Sequence, residues 1–223
     1  MTADIHHIAI IGGTGALGGG LALRWAEAGH RIVIGSRSED KAHTAAAALR
    51  DTTGNNEVSG ASNQAAAAAA DIVVLTVPFA HHESTLDDIA DAVQGKLLVD
   101  TTVPLVPPKV ARVQLSEQWP IARSTQQRLG ENVRVVSAFH NVAAAHLRDG
   151  IGEDDGDVLV FGNNKDAREL VVGLTEALGL RAWHAGSIDN SVVGEALTSV
   201  LIFLNKRYAI DGAGIRITGK SKA

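Results

Sequence analysis

The chain has 223 residues, 45% of them apolar, a formal net charge of −5 and no cysteine. That length buries a full core in one domain or slightly more, and the missing cysteines exclude disulfides, thiolate catalysis and iron–sulfur ligation. The negative balance gives no general attraction to nucleic acid or an anionic membrane, and no apolar run nears the ~20 residues of a membrane span, so a cytoplasmic protein without a leader segment is expected.

Ile8-Ala9-Ile10-Ile11 reads as a buried parallel strand, because four successive apolar residues leave no face for solvent. It runs straight into Gly12-Gly13-Thr14-Gly15-Ala16-Leu17-Gly18. Leu17, Leu21, Trp25 and Ala28 then share one helical face, and Gly29 stands where a left-handed cap would end the helix. Gly13, Gly15 and Gly18 keep the spacing of the dinucleotide fingerprint. One glycine permits a sharp turn, one lets a pyrophosphate approach the backbone, and one lets helix and strand pack closely. A strand before and a helix after give the motif its required context, and the free N–H groups at the helix start suit phosphate. Gly13, Thr14, Gly15, Ala16 and Leu17 are therefore the expected coenzyme cradle.

Arg31 to Gly35 is the second strand, and it ends in Ser36-Arg37-Ser38-Glu39-Asp40-Lys41. A protein that selects NAD places a carboxylate about 20 residues beyond the glycines to hold the ribose 2′-hydroxyl. Here the position carries Ser36 and Arg37, with no carboxylate before Glu39. An arginine fork can hold a 2′-phosphate through two parallel charge-assisted hydrogen bonds, Ser36 can donate, and Lys41 lies one helical turn along. The plain alternative is an exposed basic cluster at a helix start, where the dipole disfavours cations. The pattern favours NADP over NAD.

Ala42, Ala45, Ala46 and Leu49 mark the next helix, and Glu57 to Gly60 a short edge strand. Asn63 to Ala70, with six consecutive alanines, reads as a short helix because alanine is the best helix former. Asp71 to Phe79 is a buried strand stopped by Pro78, which cannot donate to a ladder. Strand C-termini line the ligand crevice of open parallel sheets, so Thr76, Val77 and Pro78 are expected along the dinucleotide. His81 and His82 would point apart on a helix, which argues against a metal site and for an exposed helix start. Leu86 to Val93 is helical, and Lys96 to Asp100 is a strand.

Pro104, Pro107 and Pro108 make residues 101–108 a stiff loop. Lys109 and Arg112 beyond it are either solvated or available to an anionic second ligand. A helix over Ser124 to Leu129 and a strand over Arg134 to Phe139 lead into His140-Asn141-Val142. Asp157 to Gly162 is a strand, Ala167 to Leu178 a helix closed by Gly179, and Arg181 to Ala185 the last strand. Ile188 to Leu204 is apolar on more than one face, which predicts a helix buried all round, with a subunit interface as its natural cover. The expected architecture is α/β: a Rossmann-type doubly wound parallel sheet with a small helical C-terminal part. Residues 1–185 would form the NADP-binding domain with a sheet extension, and residues 186–223 a helical segment carrying the acceptor pocket and dimer interface.

These residues together carry a family resemblance. The glycine loop, Gly29-His30, Gly35-Ser36-Arg37 with Lys41, Leu75-Thr76-Val77-Pro78, Pro104 to Pro107, Val136 to His140, Asp189-Asn190-Ser191 and Gly212 to Ile215 are similar, in order, to the F420-dependent NADP reductases. The resemblance implies hydride exchange between NADP(H) and the 5-deazaflavin F420 by a homodimer. It implies that Thr14, Ser36, Arg37 and Lys41 hold the 2′-phosphate, that Thr76, Val77 and Pro78 border the nicotinamide, and that His140, with Val142 close by, borders the deazaflavin. The family often has Leu-His-Thr-Ile-Pro where this chain has Phe139 to Ala143, so its acceptor pocket differs in shape and polarity. His140 packed at a strand end is an equally open reading. The nucleotide module also resembles the reductase domain of membrane metalloreductases, which leaves another acceptor (a flavin, a ferric complex or an imine) or a purely NADP-sensing role as alternatives. Hydride transfer between two bound rings requires no metal and no compulsory acid–base or nucleophilic residue. The cofactors carry the chemistry, and holding them in register can supply ~7–11 kcal/mol of the barrier.

Overall fold

The computed structural model describes residues 4–114, 119–152 and 155–220. Strand β1 (His7–Ile11) lies inside the sheet, parallel to β2 (Arg31–Ser36) on one side and β4 (Ile72–Leu75) on the other. The remaining strands are β3 (Val58–Ser62), β5 (Leu97–Asp100), β6 (Arg134–Ser137), β7 (Val158–Gly162) and β8 (Ala182–His184). Their spatial order is β3-β2-β1-β4-β5-β6-β7-β8. The first six run parallel; β7 turns antiparallel to β6, and β8 runs parallel to β7. This is a Rossmann-like α/β fold with a two-strand extension.

The period-two alternation of strand side chains sorts the helices onto two faces. Ile8 and Ile10 face the layer of α1 (Ala16–Glu27), α2 (Glu39–Thr53), α6 (Ala144–Asp149) and α7 (Lys165–Glu176), where Leu21, Trp25, Ala42, Leu147 and Val171 fill the core. Ala9 and Ile11 face α3 (Asn63–Ala69), α4 (His82–Ile89) and α5 (Ile121–Leu129), packed through Ala66, Leu86 and Ala122. Trp25 keys the first layer together. Its indole N–H donates to the Leu174 carbonyl at 3.0 Å, and its ring meets Phe139 edge-on at 5.9 Å. Gly29 ends α1 at φ +88°, as its position predicted, although Ala28 is exposed rather than part of the buried face.

Three expectations need correction, and a fourth is met on one side only. Within the single chain, helix α8 (Ser191–Tyr208) has Leu201 inside, but Val193, Val200 and Phe203 are 57%, 45% and 53% exposed. One apolar side packs on the chain and the other faces outward. His82 is not part of an exposed helix start; it is buried against Asp100, and only His81 is exposed. Helix α5 begins at Ile121, three residues before the expected Ser124, because Glu195 of α8 accepts from the Ile121 and Ala122 N–H groups at 2.8 and 3.2 Å. The strand expected over Arg134 to Phe139 leaves the sheet after Ser137, and Phe139 turns the chain at φ +65°.

Candidate active site

The C-terminal ends of β1, β2 and β4 open onto a cleft of about 250 Å³. Its floor is set by backbone bonds between neighbouring strand ends. The N–H groups of Gly12 and Gly13 both donate to the Gly35 carbonyl, at 3.1 and 3.2 Å, and the Gly15 N–H donates to the Gly12 carbonyl at 2.9 Å. Gly12 makes the turn at φ +79°, and a Cβ there would come 2.9 Å from the Val77 side chain. Gly12 lies outside the fingerprint spacing; its place directly after a buried strand was the signal that could have found it.

Thr14, Gly15, Ser36, Arg37, Lys41, Thr76, Val77 and Pro78 line the cleft together. Gly13 lies beneath it, where a Cβ would meet the Ile10 carbonyl at 2.8 Å. Ala16 and Leu17 form the first turn of α1 beside it. That turn has Gly15 at its cap, no capping side chain and no acidic residue, so its N–H groups carry the positive end of the helix dipole with no side-chain acceptor. Across the cleft, Ser38 caps α2 by accepting from the Lys41 N–H, and the Ser38 N–H donates to Ser36 Oγ at 3.2 Å. Glu39 and Asp40 fill the first turn of α2, which suits its dipole, and Arg37 stands just before the cap. Among the described residues, Arg37 and Lys41 are exposed with no side-chain hydrogen bond or ion pair. An uncapped helix start and two free cations therefore face one cavity in an anionic protein. Ser38, Asn63, His81 and Thr85 also line it, and the sequence reading did not single them out.

His140 and Val142 stand elsewhere, on the turn after β6. The His140 ring is buried. Its Nε2 lies 2.9 Å from Ser137 Oγ, and it packs 6.5 Å from the Phe161 ring. The Thr198 hydroxyl of α8 donates to its carbonyl at 2.7 Å. Burial away from water pushes the imidazole down to about 4, so it is neutral at physiological pH. Val142 is half-buried against the core layer containing Leu21 and Leu147.

A polar network lies behind the end of β5. Asp100 Oδ2 sits 2.8 Å from His82 Nε2 and accepts from Thr125 Oγ1 at 2.7 Å, while its Oδ1 accepts from the Thr102 N–H at 3.0 Å. Burial works against both charges. The pairing prevails, holding the His82 pKa above and the Asp100 pKa below their ordinary values. Glu195 is nearby and shifted the other way, since its burial outweighs the Ile121, Ala122 and Ser191 hydrogen bonds. Among the described residues no three metal-ligating side chains cluster, and no helix is long and apolar enough to cross a membrane.

Fold and cleft define a Rossmann-type protein whose strand ends open onto a glycine-floored cleft rimmed by Arg37 and Lys41. The family described as NADP oxidoreductase, coenzyme F420-dependent, matches residues 7–104. An F420-dependent NADP reductase of Methanothermobacter thermautotrophicus is 41% identical over 221 residues, 96% of this chain and 95% of that one. Another from Methanocaldococcus jannaschii is 38% identical over 219 residues, 95% of this chain and 97% of the relative. Among solved structures, an Arthrobacter sp. FB24 protein with a provisional F420-dependent NADP reductase description superposes at a TM-score of 0.77 with 26% identity, covering 96% of this chain and all of that one. The chain belongs to the F420-dependent NADP reductase family.

Proposed function

We propose that the protein transfers a hydride between NADP(H) and the 5-deazaflavin coenzyme F420. One observation carries the NADP half: the free Arg37 and Lys41 face the uncapped start of α1 across one cavity. The cradle fits a pyrophosphate, because Gly12 and Gly13 leave no room for side chains where the phosphates approach. Near-full-length relatedness to F420-dependent NADP reductases supports the F420 half.

In this reading Thr14, Gly15 and the N–H groups at the start of α1 bind the pyrophosphate. Arg37, Lys41 and Ser36 hold the 2′-phosphate, and Thr76, Val77 and Pro78 position the nicotinamide. When both coenzymes are bound they supply the redox chemistry themselves, a hydride passing between ring carbons. The chain's task is to hold the rings in register and keep water out. His140 and Val142 border the deazaflavin, and His140, being neutral, acts by packing and hydrogen bonding rather than by charge. After α8 the described chain, to residue 220, is not helical, contrary to expectation, and returns to the sheet extension, the Ile217 N–H donating to Asp157 Oδ2 at 2.8 Å. A second copy covers the outward side of α8. Val193, Val200 and Phe203 lie seven and then three residues apart on that side, the spacing of a helical stripe. A cytoplasmic homodimer results.

The test is turnover of F420 by the purified protein with NADPH and, separately, NADH. This reading predicts F420 reduction with NADPH and little with NADH. NADPH consumption with free flavins but none with F420 would assign a different acceptor.

A further inference from the structure

Asn63 opens α3 at the wall of the cleft, and its carboxamide oxygen makes no hydrogen bond that holds the fold. Ser62 already caps the helix, its Oγ accepting from the Ala65 N–H at 3.3 Å. Asn63 is 4% exposed and lines the cleft, yet its Oδ1 is buried with no hydrogen-bond partner among the described residues. A buried carbonyl with an empty acceptor is a standing cost, and an alanine, the best helix former, would open α3 without it. The room for the amide comes from Gly35. A Cβ at that position would lie 3.2 Å from Asn63 Oδ1 and 2.9 Å from Ile11 Cδ1. Ser36 and Arg37 follow Gly35 directly, so the amide sits beside the strand end that leads into the rim.

We propose that Asn63 anchors the adenosine of the coenzyme, its carboxamide oxygen accepting a hydrogen bond from the ribose 3′-hydroxyl. The proposal deepens the NADP reading of the cleft and rests on it. A ribose phosphorylated at its 2′ position has one hydroxyl left to donate, the 3′. The phosphate and ring oxygens only accept and are matched by Arg37, Lys41 and Ser36. The last torsion of asparagine is broad, so the oxygen turns into the cleft without moving the backbone. A neutral amide accepts without repelling the neighbouring phosphate, which a carboxylate would do.

The experiment measures the affinity of the full chain and of N63A, N63D and R37A for NADPH, NADH and the hypoxanthine analogue of NADPH, whose base lacks the 6-amino group. N63A is expected to weaken NADPH, NADH and the analogue by a common factor of about 3 to 10. N63D should weaken NADPH further, and most at low salt, because its carboxylate faces the phosphate. Unchanged NADPH affinity in N63A overturns the proposal. So does a loss with NADPH that vanishes with the analogue, which would assign the contact to the adenine amino group. R37A separates the two claims. Selective loss of NADPH in R37A beside an unaltered N63A overturns Asn63 alone, whereas equal loss of NADPH and NADH in R37A overturns the NADP reading.

Discussion

The Thr76 hydroxyl occupies the space that a side chain at Gly18 would need, and at 2.9 Å it donates to the Ile11 carbonyl at the end of β1. The third glycine of the fingerprint thus locks α1 to the end of β4, the strand whose continuation through Val77 and Pro78 lines the cleft. Gly18→Ala is expected to cost about 1–3 kcal/mol of stability by overpacking and to weaken NADPH by shifting the start of α1. Urea midpoints and coenzyme titration measure both. Thr76→Ala in the same chain should restore part of the loss, because the two sites share one contact. Additive losses in the double variant would contradict this packing account.

The proposed 2′-phosphate contact makes Arg37 the residue on which the coenzyme preference should depend. Arg37→Ala is expected to weaken NADPH by about 1.5–3 kcal/mol, the scale of a hydrogen bond to a charged group, and to leave NADH nearly unchanged. The wild-type preference should also shrink as salt rises, since Arg37 is exposed. Titration with both coenzymes at two ionic strengths reads the effect.

Two buried histidines give stability opposite pH slopes. The folded pKa of His140 is lowered to about 4, so the unfolded chain binds its proton first as pH falls below 6.5. His140 therefore withdraws up to about 3 kcal/mol between pH 6.5 and pH 4, and His140→Gln should flatten that acid limb. His82 has a raised pKa, so its contribution is complete below pH 6.5 and is lost as pH rises through its folded value. Asp100 has a lowered pKa, and its contribution is lost only as pH falls through its own folded value. His82→Gln should therefore cost most near pH 5–6, where both partners are charged, and less at pH 9. Urea unfolding across this range distinguishes the two variants.

What was legible in the sequence follows from the range of the forces involved. The apolar run of β1, the glycine turn into α1 and the alanine helix are decided within a few residues, and they stand as read. The start of α5 was not legible, because the group that satisfies its first N–H pair is Glu195, more than 70 residues away on another helix. His82 looked like a surface residue because its partner Asp100 arrives from the neighbouring strand end. The apolarity of α8 all round was legible, but which side packs on the chain was not, because the contacts that decide it come from α5 and β7, distant in sequence. Asn63 escaped notice because an asparagine at a helix start has an ordinary explanation, which Ser62 already supplies.

The outward stripe on α8 predicts association. Phe203→Asp, at a position 53% exposed in the single chain, should leave the fold intact and convert a dimer into a monomer. Light scattering after size exclusion, with circular dichroism as the control for folding, checks it. A wild-type chain that is monomeric at micromolar concentration would contradict the dimer.

The most direct test of the central claim follows the hydride itself. NADPH deuterated at the transferable position of the nicotinamide is mixed with F420 and the protein in ordinary water, and the reduced deazaflavin is analysed by mass spectrometry and NMR. Direct transfer predicts one deuterium at the reduced ring carbon of F420, appearing in step with NADPH oxidation. Reduced F420 carrying only solvent hydrogen, or NADPH oxidation without F420 reduction, would contradict it.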